Sequence, residues 1–168
     1  MIKASRNPEI SISPADLDDL EVIMIIERSG FPAAEQWSER SWRSELLSEQ
    51  RTILIARAQH PVGVISISTT GELADLHRLV VEPRSRRRGI GADLVRAGLD
   101  VVRQLGVRDV ILDVGYDNEA AIALYQRLGF EQLSARQDYY GPGQHALILK
   151  LYDLQGWPDR MAAMTEEV

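Results

Sequence analysis

The chain has 168 residues, 45% of them hydrophobic and 26% charged, with a formal net charge of −6, three histidines and no cysteine. That length suits a single domain with one sizeable core, about 9–152, followed by a C-terminal tail over 153–168. The absence of cysteine excludes disulfides, thiolate ligands and a cysteine nucleophile, and it fits a reducing compartment. The acidic balance argues against nucleic-acid binding and favours a cationic partner. His60, His77 and His145 show no metal-ligand spacing, so no metal site is expected. The amino-terminal stretch lacks the apolar run of a signal peptide, and the longest apolar run, Val22–Ile26, is too short to span a bilayer. A cytoplasmic protein without membrane contact is the expectation.

In chain order, residues 9–13 alternate as a short strand. Ser13-Pro14-Ala15-Asp16 reads as a helix start, with Ser13 as N-cap and Pro14 at the first helical position, and this helix runs to about Arg28. Ser38 caps a second helix reaching Ser48, with Trp42 and Leu46 on one face. Residues 52–58 and 62–68 read as a hairpin, and a third strand spans 72–82. A long amphipathic helix covers 89–105, a buried strand 107–114, and a helix 118–128 is closed by Gly129. Strands beginning at Phe130 and at Ala146 flank the turn Gly141-Pro142-Gly143, and the chain beyond Gly156 is expected to be peripheral. The order β-α-α-β-β-β-α-β-α-β-β predicts an α/β protein with a mixed, mostly antiparallel sheet.

The most informative segment is Arg86-Arg87-Arg88-Gly89-Ile90-Gly91, placed between a strand and a helix. Free backbone N–H groups, the helix dipole and arginine counter-charge make such a turn suited to a phosphate. It is not a Walker loop, because no Lys-Ser/Thr follows. It is not a dinucleotide fingerprint either, because Leu94 stands where a third glycine is needed.

With Val81-Glu82-Pro83 before this turn and Asn118, Ala121, Leu124-Tyr125 and Leu128-Gly129-Phe130 after it, the chain resembles the GCN5-related N-acetyltransferase (GNAT) family over roughly 9–152. Within that family it is most similar to the RimI-type enzymes, which acetylate the N-terminal alanine of a small-subunit ribosomal protein. The run 117–130, the pair Tyr139-Tyr140 and the segment 143–151 carry that likeness. The resemblance implies the GNAT fold, with splayed central strands that hold acetyl-CoA. It assigns the diphosphate to the backbone amides of Arg87, Arg88, Gly89, Ile90, Gly91 and Ala92, with the arginine side chains, Arg86 included, around it. The backbone of Leu79, Val80 and Val81 pairs with the pantetheine amides like an added strand, and Asn118 contacts the cofactor arm. Asn118 also suits a helix N-cap.

The resemblance further makes Tyr125 the general acid that assists thiolate departure and Asp113 the general base. An α-amino group has a pKa of about 7.7–8, so a modest base suffices. RimI-type sequences carry Glu where Asp113 stands. The side chain here is one methylene shorter, which favours a bridging water, and Gly115 replaces a bulkier residue. His77 and Asp75, on one face of the third strand by period-two spacing, are competing bases. Tyr139 and Tyr140 are expected to line the acceptor slot, and Glu35, Glu39 and Asp138 are candidates to meet a basic peptide. A small-molecule amine is the alternative acceptor, and a non-catalytic acyl-CoA-binding regulator is the alternative outside enzymes. Both a monomer and a homodimer are compatible with the sequence.

Overall fold

The computed structural model describes residues 6–167. The chain divides into two compact units. The first comprises the chain up to Ser68 together with His77–Val102, and the second comprises Thr69–Leu76 together with the chain from Arg103 onward. No linker announces this division, because each crossing falls inside a strand or a helix.

The first unit opens with β1 (Ser11–Pro14), α1 (Leu20–Gly30), α2 (Glu39–Leu47) and β2 (Arg51–Arg57). It continues with most of β3 (Pro61–Thr70), the end of β4 (Leu73–Val81) and nearly all of α3 (Ile90–Gln104). β1 pairs antiparallel with β2, and β2 with β3. The expected helix start at Ser13 is corrected. Pro14 is the last residue of β1 opposite Leu54, and the Ser13 hydroxyl accepts from Arg57 Nη1 at 2.8 Å. The cap lies three residues later. Asp16 Oδ1 accepts from the Asp18 N–H, and Asp19 Oδ2 accepts from the Asp16 N–H, closing a capping box on a short 3₁₀ turn that leads into α1. The core of this unit gathers Leu20, Ile23, Met24 and Ile26 of α1, Trp42 of α2, and Ile53, Ile55, Val64 and Val80 of the strands. Leu94, Val95 and Leu99 of α3 are fully buried, as the apolar stripe of that helix requires.

The second unit holds the start of β4, then β5 (Asp109–Gly115), α4 (Glu119–Arg127), β6 (Glu131–Gly141), β7 (Gln144–Leu151) and α5 (Trp157–Glu166). β4 and β5 run parallel, but their ladder covers only Leu73–Asp75 against Asp109–Ile111. β7 then pairs antiparallel with both β5 and β6. Strand order through the sheet is β1-β2-β3-β4-β5-β7-β6, mixed and mostly antiparallel as expected.

Beyond Gly156 the tail is mostly exposed, as expected, but it is helical and anchored by the buried Trp157. Asp153 adopts a left-handed conformation and caps a 3₁₀ turn, Leu154 is fully buried, and α5 follows at once. The Trp157 indole N–H donates to the Leu128 carbonyl at 2.7 Å, closing the end of α4. The expected element order therefore gains one terminal helix.

Candidate active site

The turn before α3 is shaped by the residues that precede it. Glu82 Oε1 accepts from the Ser85 hydroxyl at 2.7 Å and meets His60 Nε2 at 2.9 Å. Burial would raise the Glu82 pKa, but these hydrogen bonds outweigh it and hold the carboxyl below its ordinary value. Arg87 (φ 62°) and Gly89 (φ 78°) then carry the chain through left-handed conformations. Asp93 is the first residue of this helix start whose N–H reaches a carbonyl one turn back, that of Gly89 at 3.0 Å. The N–H groups of Ile90, Gly91 and Ala92 therefore have no carbonyl within the helix. They lie where the macrodipole favours an anion, and the residues fit a diphosphate.

The three arginines do different things. Arg86 donates from Nε to the Val81 carbonyl at 3.0 Å and from Nη2 to the Gly30 carbonyl at 3.1 Å. Arg87 is exposed. Arg88 is also exposed, within 3.7 Å of Glu9, and lines a cavity of about 430 Å³ together with Arg6, Gly89, Asp93 and Arg96. Of the expected strand contacts, Val80 buries its side chain in the core of the first unit, while Leu79 and Val81 are half-buried.

His77 is better embedded than a lone strand histidine. Its Nδ1 lies 3.3 Å from Glu45 Oε2 and its Nε2 lies 3.1 Å from the Ser68 hydroxyl. The same Glu45 oxygen accepts from Ser66 at 2.7 Å and from Arg51 at 3.0 Å. Burial opposes ionisation of Glu45, yet the donors His77, Ser66 and Arg51 lower its pKa to about 2. Trp37, Arg40, Ser41 and Ser44 join Glu45 and His77 around a second cavity of about 430 Å³. Glu45 was invisible to sequence reasoning, because its partners lie 6 to 32 positions away and no local pattern links them.

In the second unit, Asn118 is the N-cap of α4, its Oδ1 accepting from the Ala121 N–H at 3.2 Å. About two turns further on, Tyr125 is 5% exposed and sets its ring edge-on to Phe130. Burial, and secondarily the charge of Asp113, push the Tyr125 phenol well above the ordinary tyrosine range. Asp113 is exposed on β5, and the Tyr140 hydroxyl donates to its Oδ2. Tyr139 packs edge-on against Tyr140 at 5.1 Å. Asp75 is half-buried near the start of β4. No cluster of metal-binding side chains occurs among the described residues. No helix among them is long and apolar enough to cross a membrane.

Residues 18–130 match the model of the acetyltransferase (GNAT) family. The chain belongs to that family, and it is an acetyltransferase by that membership. Over 120 residues it is 35% identical to the N-alpha-acetyltransferase RimI of Mycobacterium tuberculosis, covering 68% of this chain and 74% of that one. It is 32% identical to an uncharacterized protein of Mycobacterium leprae over 83% of this chain, of which it spans only 39%. The crystal structure of the ribosomal-protein-S18-alanine N-acetyltransferase from Escherichia coli superposes with a TM-score of 0.79 at 28% identity, covering 86% of this chain and 94% of that one. The GNAT fold and the N-acetyltransferase class expected from sequence are thus both found.

Proposed function

We propose that this acetyltransferase moves the acetyl group of acetyl-CoA to the amino group at a protein N-terminus, with the terminal alanine of a ribosomal protein as the first acceptor to test. The observation that carries this reading is the pair formed in one unit by Tyr125 and Asp113. Tyr125 is a buried phenol held well above the ordinary tyrosine range by burial and, second, by the charge of Asp113. The likeness to relatives named for N-terminal acetylation supports the choice of acceptor.

In this reading the backbone N–H groups from Arg87 to Ala92 hold the diphosphate, and the β4 backbone at Leu79–Val81 aligns the pantetheine arm. Acetyl-CoA supplies the activated thioester. Asp113, through a bridging water, takes the proton of the acceptor amine, and Tyr125 donates to the departing thiolate.

The test is a mass measurement on alanine-starting peptides and a panel of small amines incubated with the protein and acetyl-CoA. Addition of one acetyl group at the peptide terminus is the expected result. Acetylation of the small amines alone would overturn the choice of acceptor, and failure with every amine would overturn the reaction.

A further inference from the structure

β6 and β5 are not neighbours, since β7 lies between them. Roughly 9–10 Å of sheet therefore separates their backbones, further than a tyrosine on a regular β6 would reach in the plane of the sheet. The irregular tip of β6 overcomes this. Arg136 pairs with Ala146 and the next pair is Gly141 with Gln144, so residues 137–140 stand opposite His145 alone. Such an insertion bends its strand and re-aims side chains. Its shape is held by Asp138, which takes a left-handed φ of 54°. The Asp138 N–H donates to His145 Nδ1 at 3.0 Å, and its Oδ1 accepts from the Gly143 N–H at 2.6 Å. The His145 ring in turn packs on Tyr116 at 5.1 Å. Tyr139 is backed by the Arg136 guanidinium at 5.4 Å and leans on Tyr140. The outcome of this construction is that the Tyr140 hydroxyl meets Asp113 Oδ2.

We propose that Tyr140 is a positioning residue for Asp113: its hydroxyl fixes Oδ2 and leaves Oδ1 as the oxygen that takes the proton from the acceptor amine. This rests on the reading of Asp113 as the base. It also replaces the expectation of Tyr140 as a wall of the acceptor slot with a role in the proton transfer itself. The Asp113 side chain has less reach than a glutamate, and Tyr140 sets the orientation of the carboxylate it presents.

The test is Tyr140→Phe, assayed with acetyl-CoA and an alanine-starting peptide across pH, beside Asp113→Asn and the double variant. Tyr140→Phe is expected to lower kcat about tenfold, a fraction of the roughly 10²–10⁴-fold of a general base, with KM for the peptide nearly unchanged. Removing a donor from a carboxylate disfavours its charged form, so the acid limb of the kcat/KM profile moves to higher pH. In the double variant the second change adds little, because both act on one pair. A raised peptide KM with kcat and the acid limb unchanged would overturn the proposal in favour of a slot contact. So would independent effects of the two changes. If Asp113→Asn keeps full turnover, the reading of the base fails instead. Melting temperatures of the four proteins report the Tyr140–Asp113 coupling without any turnover, and additive shifts there would also overturn the proposal.

Discussion

Arg78 grips Glu27 with two hydrogen bonds, Nε to Oε1 at 3.0 Å and Nη2 to Oε2 at 2.6 Å, in a place where the Glu27 side chain is fully buried. The Trp42 indole donates a third bond to Oε1 at 2.9 Å. The guanidinium lies 3.7 Å from the centre of the Phe31 ring, and its Nη2 also donates to the Glu35 carbonyl at 2.8 Å. One arginine thus ties α1, β4 and the segment between α1 and α2. Cutting a buried ion pair on one side leaves a charge without its partner. Arg78→Met is expected to cost about 3–5 kcal/mol, read from denaturant unfolding. Restoring an apolar pair with Glu27→Leu in the same protein recovers part of that loss.

Acid unfolding has a named contributor in Glu45, whose pKa in the folded protein is about 2 against an ordinary 4.5. A carboxyl lowered by folding stabilises fully above its unfolded value, and that contribution disappears as pH falls through the folded one. Stability measured by urea melts is expected to decline between those two values, and Glu45→Gln flattens the decline over the same window.

Tyr125→Phe removes the hydroxyl while keeping the buried ring against Phe130. The expected result is a fall in kcat of about 10²-fold or more with little change in melting temperature. Because burial first, and the Asp113 charge second, raise the phenol pKa, no alkaline limb from this group is expected near the pH at which free tyrosine ionises. A wild-type profile that falls there and flattens in Tyr125→Phe would contradict that assignment.

Trp157→Ala is expected to destabilise the protein by about 3–5 kcal/mol, the range for losing a large buried aromatic. The side chain is 6% exposed and its indole serves the Leu128 carbonyl. Thermal denaturation of the variant checks this, and an unchanged melting temperature would show α5 to be dispensable.

Gly30 ends α1 against β4, and a methyl group built there would overlap Val80 Cγ1. Valine is branched at Cβ and cannot swing aside cheaply. Gly30→Ala is expected to cost about 1–3 kcal/mol by overpacking. It should also weaken acetyl-CoA binding measured by calorimetry, since Val80 sits in the strand proposed to align the pantetheine arm.

Local chemistry was legible where it was decisive. The cap at Ser38, the glycine stop at Gly129 and the apolar stripe of α3 all stand where the residues point, because each is decided within one or two turns. The Ser13 hydroxyl does not cap a helix because the Arg57 side chain, 44 positions away, donates to it. Likewise the anchor of α5 is not legible locally, since the Trp157 indole is tied to the Leu128 carbonyl 29 positions away. The candidate site divides in the same way. The turn at Gly89 and the residue types Asp113 and Tyr125 could be named from the chain. The attachments of His77 to Glu45 and of Asp113 to Tyr140 are products of the fold.

Arg86 has its guanidinium braced between the Val81 and Gly30 carbonyls. That brace sets the resting shape of the glycine turn before any ligand arrives, a form of preorganisation that lowers the entropy lost on binding. In the proposed reading, neutralising the diphosphate would then fall to Arg87 and Arg88. A lysine at position 86 would preserve the charge but could not span two carbonyls with one ammonium group, so its penalty would appear as a floppier loop rather than a weaker field.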